Sequence, residues 1–234
     1  MPEKEPVKGV SSTEPNAGRF IQVPAGAETV DGLLTIPANA QGIVLFTDGS
    51  GKSRDNDIFR SITRGLAEAG IATLLLNLLT PDEESLDEAT GYLRFNTSVH
   101  AQRILGAASW LAQHYETNNL RIGYYGVGLG AAATAAAAAM RPDLVGAMVA
   151  QAGRLDLKEI HLAGVQTPTL LISGEKDTQG IHRNQVALEQ LQGATHKEFQ
   201  IVPNSNSRFD TPEGLKEVVR LASVWFTRYL VPIR

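Results

Sequence analysis

From Gly42 onward the chain alternates short unbroken apolar runs with segments of helical period, and this alternation constrains the fold more than any other feature. Strands covered by helices on both faces read as continuous apolar runs, whereas a sheet with one wet face alternates. The runs lie at 43–47, 71–76, 122–125, 145–150, 169–173 and 198–202. Between them the periodicity predicts helices near 57–69, 96–115, 129–140, 182–192 and 212–230. In the last of these Leu215, Val218, Val219, Ala222, Trp225, Phe226, Tyr229 and Leu230 form one stripe, with Thr211 as N-cap and Pro212 at the first helical position. The stripe reads as core. Two further strands, at 19–23 and 29–36, are bounded by Pro or Gly and read as an antiparallel start at the sheet edge.

Length and composition set the frame. With 234 residues, 43% of them hydrophobic, one domain over 19–234 is expected. Residues 1–18 are polar and rich in Pro and Glu, and read as a flexible tail. A net charge of -4 offers no basic footprint for nucleic acid or an anionic membrane. No cysteine is present, so disulfides and thiolate metal sites are excluded. The first residues hold no apolar stretch of the secretory kind, and no run approaches the ~18 residues of a membrane span. The expectation is a cytoplasmic protein without metal or cofactor, its oligomeric state open.

Ligands of such sheets bind beyond the carboxyl ends of the parallel strands, and three loops there imitate known chemistries. The first, Asp48-Gly-Ser-Gly-Lys-Ser53, ends like a phosphate-binding loop, but the glycine that motif requires at position 46 is Phe46. The second, Gly126-Val-Gly128-Leu-Gly-Ala131, spells a dinucleotide fingerprint between strand and helix. The acidic residue expected at the end of the next strand is missing, since Ala150-Gln151-Ala152 stands there.

The same glycines support a third reading. Gly126-Val127-Gly128-Leu129-Gly130 has the form of a nucleophile elbow, Gly-x-Ser-x-Gly, with glycine in place of the serine. Around it lie Gly49-Ser-Gly-Lys-Ser-Arg54, Leu78-Leu-Thr-Pro-Asp-Glu-Glu84, Leu93-Arg-Phe95, Gly123-Tyr-Tyr-Gly126, Gly153-Arg-Leu-Asp-Leu157, Pro168-Thr-Leu-Leu-Ile172, Asp177 and Ile201-Val-Pro203. In this order and spacing the chain, from about Arg19 to Leu230, resembles the dienelactone-hydrolase-like branch of the α/β-hydrolase family, a type sometimes joined to a phosphoribosyltransferase domain. The resemblance implies an α/β-hydrolase fold, a mainly parallel twisted sheet with helices on both faces.

It also implies a degenerate triad. Relatives carry the serine where Gly128 stands and the histidine where Ser207 stands, while the acid is kept as Asp177. A loop that usually begins with histidine begins here with Asp48. Without a hydroxyl at 128 there is nothing to acylate, and without imidazole at 207 nothing takes its proton. The backbone amides of Gly49, Ser50 and Leu129 would still line an oxyanion hole. Asp48, Arg54, Arg154 and Asp156 would line a pocket for a small polar ligand; Lys52 is also nearby but reads as a solvated charge. The leading reading is a non-catalytic ligand-binding or scaffold protein. The alternatives are residual ester or lactone hydrolysis, with Ser50 or Ser207 as nucleophile or water activated by Asp177 and His182, and dinucleotide binding at 126–131. Of the other histidines, His100, His114, His161 and His196 read as surface or helix-end residues, and the acids Asp82-Glu-Glu84, Asp87 and Glu88 as a solvated loop.

Overall fold

In the computed structural model, which describes residues 18–49, 53, 56–157 and 160–230, eight strands form one sheet with six α-helices around it. The strands are β1 (Arg19–Ala25), β2 (Glu28–Thr35), β3 (Gly42–Thr47), β4 (Ala72–Leu76), β5 (Arg121–Val127), β6 (Ala147–Gln151), β7 (Thr169–Gly174) and β8 (Lys197–Val202). Their order across the sheet is β1-β2-β4-β3-β5-β6-β7-β8. β1, β2 and β4 pair antiparallel, and every pair from β4 onward is parallel. The antiparallel start and the parallel run are both as the apolar pattern predicts.

The helices are α1 (Asp57–Glu68), α2 (Pro81–Thr90), α3 (Thr97–Leu111), α4 (Leu129–Met140), α5 (Thr178–Gln190) and α6 (Pro212–Leu230). Two cores fill the two faces of the sheet. One gathers Phe59, Ile62 and Leu66 of α1 with Val218, Trp225 and Phe226 of α6, around Phe46 and Tyr125. The other holds the inner sides of α3, α4 and α5 against Leu45, Tyr124, Met148 and Leu171. α4 is sunk between the sheet and α3, and its alanines 131–133, 135, 137 and 138 are wholly buried. Small side chains let a helix approach a sheet this closely without voids. The stripe on α6 is core, as expected, and the Thr211 hydroxyl accepts the Gly214 amide at 3.2 Å, which makes it the N-cap.

Three departures from the sequence pattern have local causes. The acidic stretch expected as a solvated loop contains α2. Thr80 and Glu83 form a capping box, Pro81 sits at the first helical position, and Gly91 closes the helix in the left-handed region at φ 65°. α5 begins at Thr178 rather than 182, because the Asp177 side chain caps it. His100, expected at the surface, is only 1% exposed in the first turn of α3. No helix among the described residues is long and apolar enough to cross a membrane. The expected tail at 1–17 falls outside the described residues, as do Ser50, Lys52 and Arg54.

Candidate functional site

The elbow between β5 and α4 is built by three glycines for three different reasons. A Cβ on Gly126 would stand 2.4 Å from Ala131 Cα and 2.5 Å from Thr134 Oγ1, so only glycine lets α4 double back over its own strand. A Cβ on Gly130 would stand 2.4 Å from the Thr47 carbonyl oxygen, so only glycine admits the loop after β3. Gly128 differs. Its backbone is at φ 56°, ψ -116°, yet among the described residues a Cβ there would meet no atom within 4 Å. That conformation is costly for any residue with a Cβ. Among the described residues the space at 128 is open, and the strain lies in the backbone.

The surrounding hydrogen bonds hold the turn rigidly. The Gly128 amide donates to Gln151 O at 3.1 Å, the Arg154 amide donates to Gly128 O at 3.0 Å, and the Gly130 amide donates to Asp48 O at 3.1 Å. Gln151, 1% exposed at the end of β6, accepts a hydrogen bond from the buried Tyr125 hydroxyl through its side-chain oxygen. Tyr125 in turn stacks on Phe46 with ring centroids 4.4 Å apart. Gln151 thus fills the place where a ribose-binding carboxylate would stand.

Of the expected oxyanion-hole amides, that of Leu129 opens α4, where the first amides have no helical acceptor. The Gly49 amide donates to Thr47 Oγ1 at 3.3 Å, and Gly49 itself lies at φ 83° against Leu129 and Gly130. Asp48 is half-buried and accepts a hydrogen bond from the buried Ser53 hydroxyl.

Asp177 and Ser207 fall in two loops that hydrogen-bond to one another beyond β7 and β8. The Glu175 amide donates to Val202 O at 3.0 Å, the Lys176 amide to Ser205 O at 2.9 Å, and the Asn204 amide to Glu175 Oε2 at 2.7 Å. Asp177 Oδ1 accepts the Gly180 amide at 2.9 Å. Ser207 is exposed at the tip of a turn closed by Asn206, whose Oδ1 accepts the amides of Arg208 and Phe209. His182 is exposed on α5.

Arg154 and Asp156 pair with each other, Nε to Oδ1 at 3.0 Å. Burial raises the Asp156 carboxyl, but the Arg154 hydrogen bond and the charges of Arg154 and Arg183 outweigh it and hold the group below its usual range. Among the described residues no cluster of three His, Cys, Asp or Glu could hold a metal ion.

The pattern-based reading missed a polar cluster under the start of α3. Arg103, 5% exposed, donates to Glu83 Oε2 at 2.6 Å, to Glu83 Oε1 and to the Leu78 carbonyl. Its hydrogen bond holds the Glu83 carboxyl below the ordinary value against the opposing effect of burial. Asp87, 4% exposed, accepts the Arg94 amide at 2.9 Å and Arg94 Nε at 2.6 Å. Beside them His100 is buried with its Nε2 unpartnered. A signal for His100 existed, since Thr97, His100, Ala101 and Ile104 share one helical face.

The elbow, the paired loops and the strand order together decide the kinship. Residues 30–208 match the model of the dienelactone hydrolase family. The chain belongs to that family. A dienelactone hydrolase from Anabaena variabilis is 41% identical, with a TM-score of 0.88 over 93% of this chain and 100% of the other. Two Mycobacterium tuberculosis proteins that carry provisional names as phosphoribosyl transferases are each 38% identical over 210 residues, 90% of this chain. The chain spans about half the length of these curated relatives, 46%. A dienelactone hydrolase-like promiscuous phosphotriesterase from metagenomic libraries, 16% identical with a TM-score of 0.73 over 93% of this chain and 100% of the other, shares the fold alone.

Proposed function

We propose that this dienelactone hydrolase-family chain is a non-catalytic member, one that keeps the backbone of the hydrolase site and uses it to bind a small molecule or to serve as a scaffold. The observation that carries the reading is Gly128: an elbow residue with a strained backbone, open space beside it, and no side chain. Three further features support it. At 207, where the family resemblance implies a histidine, the chain has an exposed serine. Asp177 is engaged in capping α5. An aspartate, Asp48, stands beside the elbow, where negative charge opposes a developing oxyanion.

Residual hydrolysis through Asp177 and His182 draws no support from this arrangement, because the aspartate faces the amide of Gly180 and the histidine is exposed. Substitution tests the proposal directly. Gly128→Ser together with Ser207→His, and with Asp48→His as a third change, is expected to bring out turnover of p-nitrophenyl acetate that the wild type lacks. Each single change is expected to do almost nothing, since triad members act as a unit. Wild-type turnover above buffer, abolished by Ser50→Ala or His182→Ala, overturns the reading.

A further inference from the structure

β8 is the last strand of the sheet, and its backbone hydrogen bonds leave a free edge. β7 and β8 pair in parallel, with Thr169 beside Lys197 and Gly174 beside Val202. At one end His196 O accepts the Thr169 amide at 2.8 Å, and at the other Val202 O accepts the Glu175 amide at 3.0 Å. Backbone groups of successive strand residues point to opposite sides. The even-numbered residues therefore face β7, and Lys197, Phe199 and Ile201 turn their amides and carbonyls outward. Among the described residues none bonds to those outward groups.

The other edge of the sheet is blunted, and this one is not. β1 carries Pro24, which has no amide to offer an incoming strand. On the β8 side the first proline is Pro203, beyond the strand. Lys197, of the residue type that commonly guards an edge, is turned aside, since its Nζ donates to Leu188 O of α5 at 2.8 Å. Both shoulders of the strand are apolar. Phe199 packs into the core under α5, and Ile201, on the same side by strand alternation, is exposed. On the opposite side Arg228 Nη1 lies 3.9 Å from Glu198 Oε1. Exposed Val224, one turn earlier on that face of α6, therefore borders the strand as well.

The residues along β8 select the occupant of this edge. A two-fold axis reverses a strand, so a second copy of the chain would meet β8 antiparallel. Outward groups on the odd positions leave three central registers. With Glu198 on the axis, two carboxylates face each other, which opposes pairing. With Gln200 on the axis, Lys197 faces Pro203 and loses a hydrogen bond. With Phe199 on the axis, Phe199 meets its own copy, Lys197 meets Ile201 and Glu198 meets Gln200. All three outward residues then find partners, no like charges are opposed, and the Gln200 amide can donate to the facing carboxylate.

We propose that β8 is a self-pairing edge, through which two copies of this chain join antiparallel about Phe199 into one continuous sheet. The proposal is independent of the non-catalytic reading above. Because the two β8 strands run in opposite directions, the two elbows open at opposite ends of the assembly.

Sedimentation of the full chain over a range of concentrations gives the first test, with hydrogen exchange followed at the Phe199 and Ile201 amides. The expected result is a monomer–dimer equilibrium in which both amides slow as the dimer forms. Ile201→Pro removes one outward amide at an edge position that tolerates proline, and should give a folded monomer. Gln200→Lys, facing Glu198, should tighten the dimer about tenfold, and Gln200→Glu should loosen it about tenfold, because the two-fold repeats the pair. These two variants leave the backbone unchanged, so they decide the matter if Ile201→Pro fails to fold. Glu198→Gln separates the registers: it should not tighten the dimer here, but would do so if Glu198 faced its own copy. A monomer at every concentration, a dimer indifferent to the Gln200 exchanges, or one tightened by Glu198→Gln overturns the proposal.

Discussion

Asp177 and Gly180 are joined by a 2.9 Å hydrogen bond, carboxylate Oδ1 to backbone amide, that closes the first turn of α5. Asp177, proposed above as the acid position of a degenerate triad, is a helix cap, and a cap is kept for stability whether or not any chemistry occurs. Replacement of Asp177 by alanine should therefore lower stability by about 1 kcal/mol, the usual cost of losing such a cap. Asp177→Asn, which retains the accepting oxygen, should stay close to the wild type. Urea denaturation of the two variants checks this. Equal losses in both would mean that the charge matters and the cap does not.

The three elbow glycines should respond to alanine in a fixed order. Gly126→Ala and Gly130→Ala drive a methyl group into backbone atoms and should prevent the chain from folding. Gly128→Ala meets open space and carries only the backbone cost, about 1–3 kcal/mol. Soluble yield and Tm of the three variants give the order. A folded Gly126→Ala protein would contradict the packing described for α4.

His100 should make stability depend on pH in a defined window. Burial, reinforced by the Arg103 charge and opposed by the neighbouring carboxylates, lowers its pKa from 6.5 to about 4. In the unfolded chain the ring takes up a proton as pH falls below 6.5, whereas in the folded chain it stays neutral until about 4. The stabilisation is fully present above pH 6.5 and is lost as pH falls through the window to 4, a total of about 3 kcal/mol. Denaturation curves at stepped pH should show this slope in the wild type, and it should be missing from His100→Leu. An identical slope in both proteins would assign it to other groups.

Arg103 and Glu83 should show strong coupling. Glu83→Gln leaves a buried guanidinium without its counter-charge but keeps an oxygen that can accept the Thr80 amide in the α2 capping box. The cost should be about 2–3 kcal/mol, below the range for a fully buried pair because Glu83 is a quarter exposed. Adding Arg103→Met to Glu83→Gln should recover much of that loss. A double-mutant cycle measures it, and additive effects would mean that the two side chains stabilise the protein independently.

The parallel sheet was legible in the sequence because a strand buried on both faces has no polar positions to disguise it. The inner strands β3 to β7 follow from apolar runs, β1 and β2 from their Pro and Gly boundaries, and the stripe on α6 from helical spacing. α2 was hidden because its outer face is nearly all acidic and its inner face offers one buried residue, Asp87. The caps at Thr80 and Gly91 were the only signals, and they sit at its ends. The Gly128 turn could be read from its spacing, since strand, glycine triplet and alanine-rich helix follow one another without interruption. The His100 cluster could not, because its members at 83, 87, 94, 100 and 103 are spread over α2, α3 and the turn between them and meet only in the folded chain. The capping role of Asp177 was equally out of reach, since a sequence position shows a carboxylate but not the amide it faces.

The backbone of Gly128 makes the elbow a mutational ratchet. Exchanging a side-chain-bearing residue for glycine at φ 56° relaxes the chain, whereas the reverse step must climb by about 1–3 kcal/mol. For a protein whose whole margin is about 5–15 kcal/mol, that relaxation widens the range of other substitutions the fold can survive. Sequences that have made the exchange can therefore drift outward at positions far from the site. A way back grows narrower with every destabilising change that the spare stability has absorbed.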